Sequence, residues 1–239
     1  MTRLDKYLGA AGFSRSEARS AIARGRAAID GRVEADAAAK VPEGARVALD
    51  GVVIGQPGHV HLMMNKPPGV ITAGSDARHR TVFDLLDARE RHLPGLCAVG
   101  RLDRDTTGLL LFTTDGQLAH RLISPRFTVE KVYLARVDGA LDEAHVRAMA
   151  EGIKLKDFTA QPARLRIIES DLGELTVTEG KYHQVKRMFA ALGREVIALN
   201  RASLGGVALD AALAPGAVRA LTGGEAALLY AITRLEEPS

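Results

Sequence analysis

Val99 to Gly116 reads VGRLDRDTTGLLLFTTDG. A loop with two carboxylates and two arginines runs straight into Leu109, Leu110, Leu111 and Phe112. A short unbroken apolar run bounded by Gly and Thr is the pattern of a strand buried on both faces. The charged loop before it is therefore anchored by the core and presented by a rigid scaffold. Three readings fit such a loop: structural capping, a metal site or a catalytic site.

Working outward, the chain has 239 residues, enough for one large domain or two modest ones, with 46% apolar and 26% charged residues. These values are those of a foldable soluble chain. No apolar run approaches the roughly 20 residues that span a bilayer, and the N-terminus lacks a signal peptide's apolar core, so no membrane association is expected. The single cysteine, Cys97, excludes an internal disulfide and Cys-rich zinc motifs. A cytoplasmic location is the expectation.

Net charge is only +3, but its distribution is uneven. Residues 1–26 carry six Lys/Arg against Asp5 and Glu17, and residues 178–201 carry five against Glu179 and Glu195. Clustered basic charge is the footprint of a polyanionic partner, although each cluster alone is equally a solvated face.

SRSE at Ser14–Glu17 is a capping box opening a helix that runs through Arg24 and stops at Gly25. Arg15, Arg19 and Arg26 fall on its polar side at near-helical spacing. Asp30-Gly31 and Asp50-Gly51, each flanked by strand-forming residues, signal two hairpins. Residues 1–55 thus read as a small module suited to nucleic acid, with GQPGH (Gly55–His59) supplying the linker at 56–59 and a larger domain over 60–235. In that domain HLMMN, KVYLARV, ARLRIIE and ELTVTEG read as strands. TVFDLL and LDEAHVRAMAEGI read as helices. With no βαβ period and no repeat, the fold class is α+β with a mostly antiparallel mixed sheet and flanking helices. In YHQVKRMFAALG, Val185, Met188, Phe189 and Leu192 form one apolar stripe ending at Gly193. Lys186 lies at the edge of the stripe, able to reach into a cleft, and Arg187 lies near the opposite side, facing solvent or ligand.

Asp103-Arg104-Asp105-Thr106 has the Asp-x-Asp-x-Thr form of haloacid-dehalogenase-type phosphatases. Those enzymes need an apolar strand before the first Asp and later acidic residues for magnesium. Here the strand follows and no such acidic pair appears, so the metal reading fails on context. Turn capping by Asp105 with Thr106, Thr107 and Gly108 accounts for one carboxylate only.

GRLDRDTTGLLLFTTDG resembles the catalytic motif of pseudouridine synthases acting on ribosomal RNA. The resemblance extends over nearly the whole chain. RLDKYLGAAGFSRSEARSAIARGRAAIDG is similar to an S4-type RNA-binding domain, LMMNKPPGVIT to the first motif of the catalytic domain, and EKVYLARV and EGKYHQVKRMFAALG to its later motifs. It implies a cofactor-free, metal-free isomerase. Its partner would be 16S ribosomal RNA or a small-subunit assembly intermediate, with the protein acting as a monomer. By the family pattern Asp103 is the essential carboxylate, Lys186 the cation that keeps it ionised, and Tyr133 the aromatic that stacks on the target base. Arg101 would contact the displaced nucleotide, and Lys66 in NKPPG would face RNA, joined by Arg15, Arg19, Arg24, Arg26 and Arg187. A rival expectation is an S4-type assembly factor whose second domain only clamps RNA. It differs in making no pseudouridine.

Overall fold

The computed structural model describes residues 2–11, 13–42, 45–54 and 58–236. Much of the 55–59 linker expectation, at Gly55, Gln56 and Pro57, lies outside the described residues. Two compact units separate, one built mainly from residues up to His59 and one from Val60 onward.

The first unit contains β1 (Thr2–Arg3), α1 (Leu4–Ala10), α2 (Arg15–Ala23), β2 (Ala27–Ile29), β3 (Arg32–Val33), β4 (Lys40–Val41), β5 (Val47–Leu49) and β6 (Val52–Ile54). The capping box forms at α2: Ser14 Oγ accepts from the Glu17 amide at 3.2 Å, and the Glu17 carboxylate accepts from the Ser14 amide at 2.8 Å. Both Asp-Gly pairs make tight hairpins, β2–β3 and β5–β6, with positive φ at Asp30, Gly31, Asp50 and Gly51. That is the two-residue turn whose twist matches paired strands. Leu4, Leu8, Ala18, Ile22, Ala27 and Val47 are the sealed centre of this unit.

The second unit contains β7 (His61–Lys66), a 3-10 turn (Val82–Leu85), α3 (Ala88–Arg91), β8 (Cys97–Ala98), β9 (Thr107–Thr113), α4 (Gly116–Ile123), a second 3-10 turn (Pro125–Phe127), β10 (Lys131–Val137), α5 (Glu143–Glu151), β11 (Arg164–Glu169), β12 (Leu172–Val177), α6 (Gln184–Ala191), β13 (Val196–Leu204), β14 (Val207–Ala208), β15 (Val218–Ala220) and α7 (Gly223–Thr233). Its sheet runs β11-β12-β10-β13-β9-β7-β15, with β14 on β13 and β8 on β9. Every pairing is antiparallel except β9 with β13. TVFDLL forms a 3-10 turn rather than an α-helix, because only four residues, Val82–Leu85, separate its extended flanks.

The run that opened the sequence reading is β9, and it is buried on both faces. Leu110 and Phe112 join the larger core, which also holds Tyr133, Val185, Met188 and Phe189. Leu109 and Leu111 join the second, against Leu118, Leu122 and Leu229. The sheet thus separates two cores, and the GRLD loop enters at its middle. One glycine makes that entry possible. At Gly108, φ is +99° and a Cβ would lie 2.5 Å from the Arg201 carbonyl oxygen on β13. Only glycine accepts that backbone and that approach.

Candidate active site

Asp103 sits on the loop between β8 and β9, and its position follows from what grips the loop. Thr72 Oγ1 donates to the Leu102 carbonyl at 2.9 Å and accepts from the Leu102 amide at 3.1 Å. The Gly69 amide donates to the Arg104 carbonyl at 2.7 Å. Leu102 itself is buried in the larger core. The strongest grip comes from Lys66 at the end of β7. Its side chain is fully buried and its ammonium donates to the carbonyls of Thr106 (2.8 Å), Pro67 (3.0 Å) and Arg104 (3.3 Å). Desolvation pushes the Lys66 pKa down to about 8, partly offset by the nearby Asp105 and Asp103. Lys66 therefore does not face RNA. It ties the NKPPG turn to both sides of the catalytic-type loop, because three converging carbonyls satisfy the ammonium where no solvent reaches.

The loop meets α6. Lys186 Nζ donates to Asp105 Oδ1 at 2.6 Å and stands 3.8 Å from Asp103 Oδ2. His183 Nε2 lies 3.4 Å from Asp103 Oδ1. Asp103 is thus flanked on both oxygens by nitrogen groups from one helix entry, with 30% of its side chain exposed at the cleft. Asp105 is more than a turn cap: the Lys186 ammonium lowers its pKa and it holds that ammonium in place. The α6 entry is itself braced. Gln184 is buried, donating to Glu179 and accepting from the Lys181 amide, and His183 takes a left-handed backbone with φ of +50°. That bend turns its imidazole to the cleft, where the Tyr182 ring stacks on it at 3.8 Å.

Tyr133 projects from β10, opposite Leu175 and Arg201 on its neighbouring strands. Its ring packs in the same core as Leu102 and Val185, the residues preceding Asp103 and Lys186. Tyr133 is held within that core, and the tertiary fold brings Asp103 and Lys186, from two separate elements, to one cleft. Arg101 is exposed beside it. Among the described residues no group of three or more His, Cys, Asp or Glu converges as metal ligands.

The remaining basic residues divide. Arg15 and Arg19 are exposed on α2 and Arg24 is exposed at its end. Arg26 lies beyond the helix rather than on its polar side, because α2 stops before the left-handed Gly25, and Arg26 pairs with Asp50. Arg187 does not point free toward ligand. Asp157 pairs with its guanidinium, which lies 5.1 Å from the Phe158 ring centre.

Thr72 and the bracing role of Lys66 were not reached from sequence. The only available signal was the pattern Lys-Pro-Pro-Gly directly after an apolar strand, which marks a turn and says nothing of what lies across from it. Replacing Thr72 by Val is expected to cost about 1 to 2 kcal/mol, since the buried Leu102 amide and carbonyl lose their shared partner. Thermal unfolding together with single-turnover activity checks this, and activity should fall more steeply than stability.

A family model described as RNA pseudouridylate synthase matches residues 60–191. The chain is 43% identical to ribosomal small subunit pseudouridine synthase A of Vibrio parahaemolyticus and 44% identical to that of Escherichia coli, over 92% of this chain and 96% of each relative. An uncharacterized RNA pseudouridine synthase of Bacillus subtilis, YtzG, is 42% identical over 95% of this chain and 98% of its own. A crystal structure of a pseudouridylate synthase superposes with a TM-score of 0.68 at 36% identity, over 96% of this chain and 100% of the other.

Proposed function

We propose that this chain, which belongs to the RNA pseudouridylate synthase family, converts one uridine of small-subunit ribosomal RNA to pseudouridine, with Asp103 as the acting carboxylate. The observation that carries the reading is the partly exposed Asp103 carboxylate held between Lys186 and His183.

The chemistry breaks the C1′–N1 bond, turns the base and joins C1′ to C5. The C5 proton leaves and N1 gains one, so the reaction balances without an oxidant, a reductant or an outside energy source. Positive charge developing at C1′ is met by a carboxylate, as in glycoside hydrolysis. An ionised Asp103 can stabilise that charge, attack the sugar or base, or remove a sugar proton, and each route needs it unprotonated. Lys186 is shared with Asp105 at rest, so a small rotation of the chain moves its charge fully onto Asp103 as the nucleotide enters.

The target base must leave its stack for C5 and C1′ to become accessible. Tyr133 supplies a rigid face for the extruded uracil, with a hydroxyl that makes no hydrogen bond among the described residues. Arg101 fills or contacts the space the nucleotide leaves. The first unit, with exposed Arg15, Arg19 and Arg24, serves as an S4-type RNA-binding domain, residues 60–235 as the catalytic domain, and the protein works as a monomer in the cytoplasm. The name of the two small-subunit relatives supports 16S RNA, or an assembling particle containing it, as the substrate.

Incubation with small-subunit RNA, free and partly assembled, followed by carbodiimide mapping of pseudouridine, tests the proposal. One new adduct at a single uridine is expected, with no added cofactor. Failure to form an adduct on either substrate overturns it. RNA affinity is further expected to fall with a log–log salt slope set by the phosphates contacted.

A further inference from the structure

We propose that a groove at the C-terminal end of α4 carries the phosphate backbone of the RNA strand running away from the target nucleotide. The inference rests on the RNA-modifying reading above and assigns a surface to it.

The groove encloses about 560 Å³ and is lined by His120, Arg121, Ser124, Arg126 and Phe127. Among the described residues no carboxylate lines it, and every lining polar side chain offers a hydrogen-bond donor. Arg121 is fixed in place: its Nη1 donates to the Thr233 and Arg234 carbonyls at the end of α7, at 2.8 and 2.9 Å, while its guanidinium lies 5.2 Å from the Phe127 ring centre. His120 and Arg121 fall in the last turn of α4, where cations also suit the helix dipole, so the fold alone accounts for them. It does not account for Arg126. That residue stands on the 3-10 turn beyond the helix, exposed, with neither ion pair nor hydrogen bond among the described residues.

Continuity with the cleft gives the groove its meaning. Ile123, the last residue of α4, is 49% exposed. A Cβ at Gly100 would lie 3.3 Å from its Cγ2. The helix end therefore abuts the catalytic-type loop immediately before Arg101 and two residues further Asp103. A strand whose uridine enters the cleft past Arg101 meets next a surface of donors with Phe127 and Ile123 as apolar footing. Single-stranded RNA binding uses that combination, cations for phosphates and flat apolar groups for bases. A groove without acids suits a polyanion, and a protein partner of ordinary charge is the less favoured occupant.

The test measures affinity of the full-length protein for a small-subunit RNA fragment by filter retention, across a series of salt concentrations, beside pseudouridine formation on the same RNA. Arg126→Ala is expected to raise Kd by roughly three- to tenfold and to shrink the log–log salt slope by about 0.7 to 0.9, one phosphate contact. Arg126→Lys should restore most of both. Arg147→Ala, an exposed charge on α5, should change neither. Arg126→Ala with wild-type affinity and slope overturns the proposal and leaves the enzyme reading standing. So does a loss equalled by Arg147→Ala, which would be bulk charge alone. A loss that Lys fails to restore overturns the backbone assignment. Arg126-dependent binding without pseudouridine supports the groove and removes the enzyme reading. Wild-type protein that binds no RNA overturns both.

Discussion

Asp103→Asn is expected to lower pseudouridine formation by about 10⁴-fold or more, the scale seen when an acting nucleophile or base is removed from an enzyme site. The amide matches the carboxylate in shape, so sterics do not change. What changes is charge. The amide cannot stabilise a cationic sugar, form a bond to carbon or accept a proton at neutral pH. The fold should tolerate the replacement, since the Asp103 side chain is partly exposed and its two neighbours stand at 3.4 and 3.8 Å, beyond strong hydrogen bonding. Stability should therefore change by no more than about 0.5 kcal/mol, as for most substitutions without a tight partner. Single-turnover conversion on small-subunit RNA, paired with a thermal melt, checks both halves. A variant that folds and retains a tenth of the wild-type rate removes Asp103 from its role.

The second large effect concerns a residue that touches no substrate. Lys66→Met keeps the aliphatic stem and deletes the ammonium, leaving the Thr106, Pro67 and Arg104 carbonyls without their common donor. Loss of charge-assisted hydrogen bonds, partly offset by no longer burying a charge, should destabilise the protein by about 2 kcal/mol. For a chain of this size that is roughly 5 °C in Tm. Activity should fall by about 10²-fold, because a loop displaced by about 1 Å misplaces the reacting groups.

The same residue gives a pH signature. In the folded protein Lys66 loses its proton at about 8, against the ordinary 10.5 when the chain unfolds. Between those values the unfolded chain binds the extra proton, so folding stability rises as pH increases from about 8 toward 10.5. Lys131, buried on β10 and donating to the Val129 and Thr178 carbonyls, is lowered to about 8 by burial and the neighbouring Arg201, and adds in the same direction. Denaturant unfolding at pH 7.5 and pH 10 should show the wild type gaining more than Lys66→Met over that interval. Equal gains would place the lysine's proton elsewhere.

How much was legible in advance follows the range of the interactions. The capping box at Ser14, the Asp-Gly hairpins and the end of α6 before Gly193 rest on contacts within a few residues, and the structure has them all. The run 109–112 declared a strand buried on both faces because alternate side chains must each find a core, and two cores are present. Asp103 and Tyr133 are singled out only through their motifs, whereas helical spacing also puts Lys186 at the edge of its apolar stripe. Nothing in the spacing of residues 103 and 186 says that their side chains meet.

Local chemistry, then, was enough to specify the capping box, the two hairpins, the end of α6 and the rigid presentation of the GRLD loop, since such features are set by neighbours in the chain. Burial of a charge was not. Lys66 beside two prolines looks like a surface lysine, and Arg187 opposite an apolar stripe looks free. Only tertiary packing supplied the three carbonyls that bury the first and the Asp157 that engages the second. A charged group's cost or benefit depends on partners far away in sequence, so its role is decided where the chain folds back on itself.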